Sequence, residues 1–118
     1  MNLLAKLFGR PTADAEAWLD PAQLAALLAT PAPPLVIDVR NPDEFTGPLG
    51  HIEAARNIPL NDIPARSAAL QAENRPLVLV CHTDRRSAAA SRLLRDAGAQ
   101  HVHVLRGGMV AWRAGQTP

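Results

Sequence analysis

The chain has one cysteine, no tyrosine, and only Trp18, Trp112, Phe8 and Phe45 as aromatic residues among 118. A lone thiol forbids an intramolecular disulfide and a Cys-x-x-Cys pair, which sets aside disulfide scaffolds and thioredoxin-type exchange within one chain. Cys81 and the four histidines show no zinc-ligand spacing, so no metal is expected. So few aromatics cannot build a stacking platform for bases. A formal net charge of +1 supplies no global field to draw in nucleic acid or anionic lipid, so nucleic acid is not an expected partner and any anion site must be local. Long apolar runs are missing too: Met1 to Arg10 is too short to span a bilayer and lacks a secretory apolar region with a cleavage site. The expectation is a cytoplasmic protein without a transmembrane segment.

What is present is enough for one domain, since 12.6 kDa can bury a substantial core without staples. The expected division is an amino-terminal extension over 1–15, with Leu3, Leu4, Leu7 and Phe8 on one helical face, and a folded domain over 16–118. Asp20-Pro21 opens a helix, because Asp caps well and Pro is preorganised for the first helical position. After the proline cluster at 31–34 comes a strand at 35–39. Asn41, Pro42 and Glu44 then make a capped short helix reaching about Phe45. A short strand at 56–59, a helix at 62–73 and a strand at 77–81 follow. A helix at 87–97 stops at Gly98, a strand runs from 101 to 105, and Met109–Ala114 closes the chain after Gly107-Gly108. Alternating strands and helices predict an α/β fold, a mostly parallel sheet with helices on both faces.

The chain is organised around Leu77 to Ser87, in which Cys81 follows a buried-strand pattern and precedes a helix. In open α/β sheets that strand end is where ligands bind, because helix amino termini converge there. Arg85 and Arg86 lie in the same turn. Cationic side chains and a positive helix end favour thiolate over thiol, which makes Cys81 a candidate nucleophile. His101 and His103 share one strand face at i, i+2 but have no third ligand nearby, so they carry no metal expectation.

Four segments in series resemble the single-domain rhodaneses: Asp38-Val39-Arg40; Gly50-His51-Ile52 with Asn57-Ile58-Pro59; the Cys81 loop closing in Arg86-Ser87; and Leu105-Arg-Gly-Gly-Met-Val-Ala-Trp112. The resemblance covers about Trp18 to Pro118. It implies a three-layer α/β/α domain with a five-stranded sheet, and a sulfurtransferase of the thiosulfate:cyanide type without metal or organic cofactor. In such an enzyme Cys81 takes sulfane sulfur from a small anionic donor or a protein persulfide, holds it as a persulfide, and passes it to cyanide or a thiol. His82, Thr83, Asp84, Arg85, Arg86 and Ser87 would form the substrate cradle, in which successive N–H groups of a tight loop surround the negative outer sulfur. Asp38, Arg40, His51 and Trp112 would support it: Asp38 and Arg40 as an ion pair pinning the loop, with direct substrate contact as the alternative, His51 as a structural hydrogen-bonding residue in preference to a general base, Trp112 as an apolar plug.

Loop length argues against the nearest competitor. Cysteine phosphatases use Cys-x5-Arg; here Arg86 comes one position too early and Ser87 stands in the arginine's place. Three departures from the family pattern stand out. Asp84 replaces a glycine in mid-loop: Asp tolerates the left-handed conformation a glycine can adopt there, and its carboxylate opposes a dianionic donor unless it points outward or pairs with Arg85. Ala54 replaces a glycine after Gly-His-Ile. His82 adds an imidazole rather than a permanent cation. The alternative function is a catalytically silent rhodanese-like binding or regulatory module. A redox sensor is disfavoured because no resolving cysteine is present.

Overall fold

The structure, a computed structural model, describes residues 17–116. The expected extension over 1–15 lies outside the described residues. Three segments are buried at every position: Leu35–Asp38 (β2), Leu77–Val80 (β4) and Val102–Leu105 (β5). Burial on both sides is the signature of inner parallel strands. Ala17–Leu19 (β1) and Arg56–Asn57 (β3) complete a five-stranded sheet in the order β1-β5-β4-β2-β3, with every pairing parallel.

Side-chain alternation sorts the core into two halves. Leu35, Ile37, Leu77, Leu79 and Cys81 face Ile63–Ala72 (α3) and Arg85–Asp96 (α4), packing with Ile63, Leu70, Ala90 and Leu94. Val36, Val78 and Val80 face the other way, packing with Leu24 and Leu27 of Pro21–Leu28 (α1) and Met109 and Trp112 of Gly108–Ala114 (α5). The three-layer α/β/α fold follows, and Cys81 belongs by parity to the α4 side. No helix among the described residues is long and apolar enough to cross a membrane.

The capping signals work locally. Asp20 accepts from the Gln23 amide at 2.9 Å while Gln23 reaches back to the Asp20 amide at 2.9 Å, and Pro21 opens α1. Asn41 and Glu44 form a second capping box around Pro42–Phe45 (α2). Some expectations are corrected. α4 begins at Arg85 rather than Ser87, with Asp84 as its N-cap, so the end of the expected loop is the first turn of a helix. Asp84 has φ −149°, not a left-handed value. Ala54 does adopt one, φ +70°, a strain of about 1–2 kcal/mol for a residue with a Cβ. Trp18 is half-buried and lies under the Arg106 guanidinium at 4.8 Å, a cation–π contact created by the pairing of β1 with β5.

His101 and His103 do not share a strand face. His101 precedes β5 at φ +55° and is exposed, whereas His103 is buried in the strand. Burial pushes the His103 imidazole down to about 4 from 6.5. The unfolded chain therefore takes up this proton first, and the contribution is complete above pH 6.5 and lost as pH falls toward 4. Urea midpoints should fall over that window by an amount worth up to ~3 kcal/mol. His103→Leu should flatten this part of the profile; an unchanged slope would contradict the assignment.

Candidate functional site

Register brings the site together at the carboxyl edge of the sheet. Asp38 pairs with Val80, and the Val39 amide donates to the Val80 carbonyl at 2.9 Å. The chain leaving β2 therefore runs beside the chain leaving β4, and Asp38 and Arg40 meet the loop that follows Cys81.

Cys81 is only 1% exposed, while His82 and Thr83 are exposed, so the thiol lies beneath a loop that faces solvent. Its Sγ is 3.3 Å from Ser87 Oγ, which places sulfur against the first turn of α4. Ser87 Oγ also donates to the Asp84 carbonyl at 3.2 Å. On the far side, α5 holds the loop: the Met109 amide donates to the Cys81 carbonyl at 2.8 Å and the Val110 amide to the His82 carbonyl at 3.1 Å. A Cβ on Gly108 would lie 2.2, 2.4 and 2.7 Å from the carbonyl oxygens of Thr83, Cys81 and His82. Three successive carbonyls thus point at the amino end of α5. In trans peptides the following N–H groups, those of His82, Thr83 and Asp84, point the opposite way. Arg85, Arg86 and Ser87 supply the unpaired N–H groups of the first helical turn. Among the described residues none of these six amides has a protein acceptor.

Two pairs of charged side chains at the site are mutually engaged. Arg40 is 1% exposed and grips Asp38 through Nε at 3.0 Å and a terminal nitrogen at 2.8 Å. It also donates to the Glu44 carbonyl at 3.1 Å and the Gly50 carbonyl at 2.6 Å, so one guanidinium ties β2 to the 41–50 segment. Asn57 clips the same turn, donating to the Asp38 and Arg40 carbonyls at 3.1 and 2.8 Å. Arg86 makes a two-pronged pair with the Glu44 carboxylate at 2.7 and 3.0 Å. That pair holds Glu44 down to about 2 and raises Arg86 further, with the fields of Cys81 and Asp38 adding to the latter. Arg86 is therefore committed to Glu44. Arg85 is exposed and, among the described residues, neither it nor Asp84 enters an ion pair.

His51 stacks on Phe45, ring centroids 3.7 Å apart, and its Nδ1–H donates to the Phe45 carbonyl at 2.8 Å. Trp112 is buried in the core half that carries α5. Its neighbour Arg113 donates to the carbonyls of Leu49 at 2.6 Å and His51 at 3.2 Å, pinning the Gly-His segment to α5. Among the described residues no three His, Cys, Asp or Glu side chains converge as a metal site. Sequence reasoning missed Glu44 as the partner of Arg86, Gly108 as a close-approach position, and Arg113. Only Gly108 carried a signal, the Gly-Gly pair.

The profile of the rhodanese-like domain matches residues 20–115. The chain belongs to the rhodanese-like family. A sulfurtransferase of Allochromatium vinosum is 33% identical over 94 residues, covering 80% of this chain and 85% of that one. YqhL of Bacillus subtilis, an uncharacterized protein, is 40% identical over 77 residues, covering 65% of this chain, and the match spans only 59% of the length of YqhL. Among solved structures, the rhodanese-like domain of Alr3790 from Anabaena superposes with a TM-score of 0.75 at 31% identity, covering 88% of this chain and 78% of that one.

Proposed function

We propose that this rhodanese is a sulfurtransferase that carries sulfane sulfur on Cys81 as a persulfide. The observation that carries the reading is the cluster of six acceptor-free amides, His82 to Ser87, at the helix end against which Sγ lies. A persulfide puts its charge on the outer sulfur, one atom beyond Sγ, and N–H dipoles directed there stabilise it without moving when sulfur arrives. With thiosulfate, the Cys81 thiolate attacks the terminal sulfur; the new S–S bond forms as the old one breaks, and sulfite leaves with its electron pair. With a persulfide R–S–SH, the leaving group is the thiolate R–S⁻. Cyanide or a thiolate then attacks the outer sulfur, and the Cys81 thiolate is released for the next cycle. No base is required once the thiolate exists.

Asp38, Arg40 and His51 act in this account as a frame that positions the loop, and Ser87 Oγ is the side-chain group on the sulfur. The sulfurtransferase name of the Allochromatium relative agrees with this reading. The silent-module alternative draws on one observation, the 1% exposure of Cys81. Intact mass after incubation with thiosulfate or cysteine persulfide separates the two. The expected result is one added sulfur atom that cyanide removes as thiocyanate and that Cys81→Ser never acquires. An unchanged mass with every donor would establish the silent module.

A further inference from the structure

We infer that the charged side chains around Cys81 cancel one another and thereby select a persulfide donor of low charge over the thiosulfate dianion, with Glu44 and Asp84 as the specificity-determining residues. This selection rests on the persulfide-carrier reading and adds the donor class to it. The ionic groups at the sheet edge come in matched numbers. Asp38 neutralises Arg40 within a buried pair, and Glu44 neutralises Arg86 through two hydrogen bonds at 2.7 and 3.0 Å. Asp84 stands next to Arg85 in the chain and occupies the N-cap position of the helix whose first turn touches Sγ, with no capping bond from its side chain. Asp38, Glu44 and Asp84 thus balance Arg40, Arg85 and Arg86.

The Glu44–Arg86 pair is the decisive one. Arg86 lies in the helical turn against the sulfur, and is the side chain that would otherwise face an entering dianion with a free charge. Glu44 is fixed from two sides, by Arg86 and by the Asn41 amide, which donates to its carboxylate at 3.2 Å. The guanidinium is therefore held in a neutral couple instead of serving as a ligand. What remains for the donor is the set of peptide dipoles, which suits a single outer sulfur with its charge shared along the S–S unit. A sulfonate group behind that sulfur would gain no free charge from Arg86, and the exposed Arg85 of the same turn has the Asp84 carboxylate as its chain neighbour. Persulfide transfer balances under these terms: the Cys81 thiolate attacks the outer sulfur of R–S–SH, the donor's S–S bond breaks as the new one forms, and R–S⁻ departs with its electron pair.

The test compares kcat/KM for thiosulfate and for cysteine persulfide, whose ammonium and carboxylate cancel, in the wild type, Glu44→Gln and Asp84→Asn. The glutamine side chain in Glu44→Gln keeps an oxygen for the Asn41 amide, and the asparagine in Asp84→Asn keeps the side-chain size, so two independent variants probe the same point. The wild type is expected to prefer cysteine persulfide. Each substitution should narrow the preference by about 5–10-fold by raising the thiosulfate value alone. Added salt should leave wild-type thiosulfate use unchanged but lower it in both variants, where an uncompensated cation now attracts the dianion. A wild type that prefers thiosulfate, or a preference that neither substitution narrows, overturns the inference while leaving the persulfide carrier intact. Loading of Cys81 by neither donor overturns both.

Discussion

Gly108→Ala is expected to reduce sulfur loading of Cys81 by about 100-fold, the effect of displacing reacting groups by roughly 1 Å. The added methyl group would sit 2.2–2.7 Å from three consecutive backbone carbonyls, those of Cys81, His82 and Thr83. Backbone atoms cannot swing aside as a flexible side chain does. Relief requires α5 to back away, which breaks the Met109 and Val110 amide bonds that hold the loop, or requires the loop peptides to rotate. Rotation would turn the amides on their opposite edges away from the sulfur. Gly108 also has φ +55°, so the substitution should cost about 3–5 kcal/mol from overpacking and backbone strain together. Gly115→Ala is the control: its Cβ would meet neighbours at 3.6 Å or beyond, so loading and urea midpoint should stay near wild type. Normal loading by Gly108→Ala would mean that the loop does not depend on α5.

Asp38→Ala is expected to act through stability, lowering it by about 3–5 kcal/mol, because it leaves the Arg40 guanidinium buried and without its counter-ion. The two carbonyl partners of Arg40, at Glu44 and Gly50, cannot neutralise it. The consequence spreads to the site by a short route: Arg40 anchors the segment that carries Glu44, and Glu44 holds Arg86. Loading per folded molecule, measured at low temperature with osmolyte, should fall by less than about tenfold, since the amides themselves survive. A loss of loading at unchanged urea midpoint would instead place Asp38 in contact with the donor.

The architecture was legible wherever short-range physics decides it. Leu35-Val-Ile-Asp and Leu77-Val-Leu-Val are apolar at nearly every position because both faces are covered, and Pro21 and Pro42 mark helix starts by their fixed φ. The same strand parity that packs Leu77 and Leu79 on one face carries Cys81 to α4, so the candidate nucleophile was legible too. The missed features depend on which distant segments meet. Glu44 is identifiable as a capping acid three residues from Asn41, but its second role comes from Arg86, 42 positions away. Gly107-Gly108 signals a turn; that a loop from β4 presses on Gly108 follows from the return of α5 beneath β4 and β5. α4 starts two residues before the expected Ser87, because the charged pair Arg85-Arg86 hides the start of its apolar periodicity. Ala54 shows the reverse case, a position where the backbone keeps a glycine-like φ of +70° although the side chain has changed.

The central claim, that peptide amides hold the transferred sulfur, is tested most directly by amide NMR of the protein before loading, after loading and after cyanide. The N–H resonances of His82 to Ser87 should shift together when Cys81 gains its sulfur and return when cyanide takes it, while those of α1 and α3 stay in place. A sulfur adduct confirmed by mass that leaves these six resonances unmoved would contradict the account.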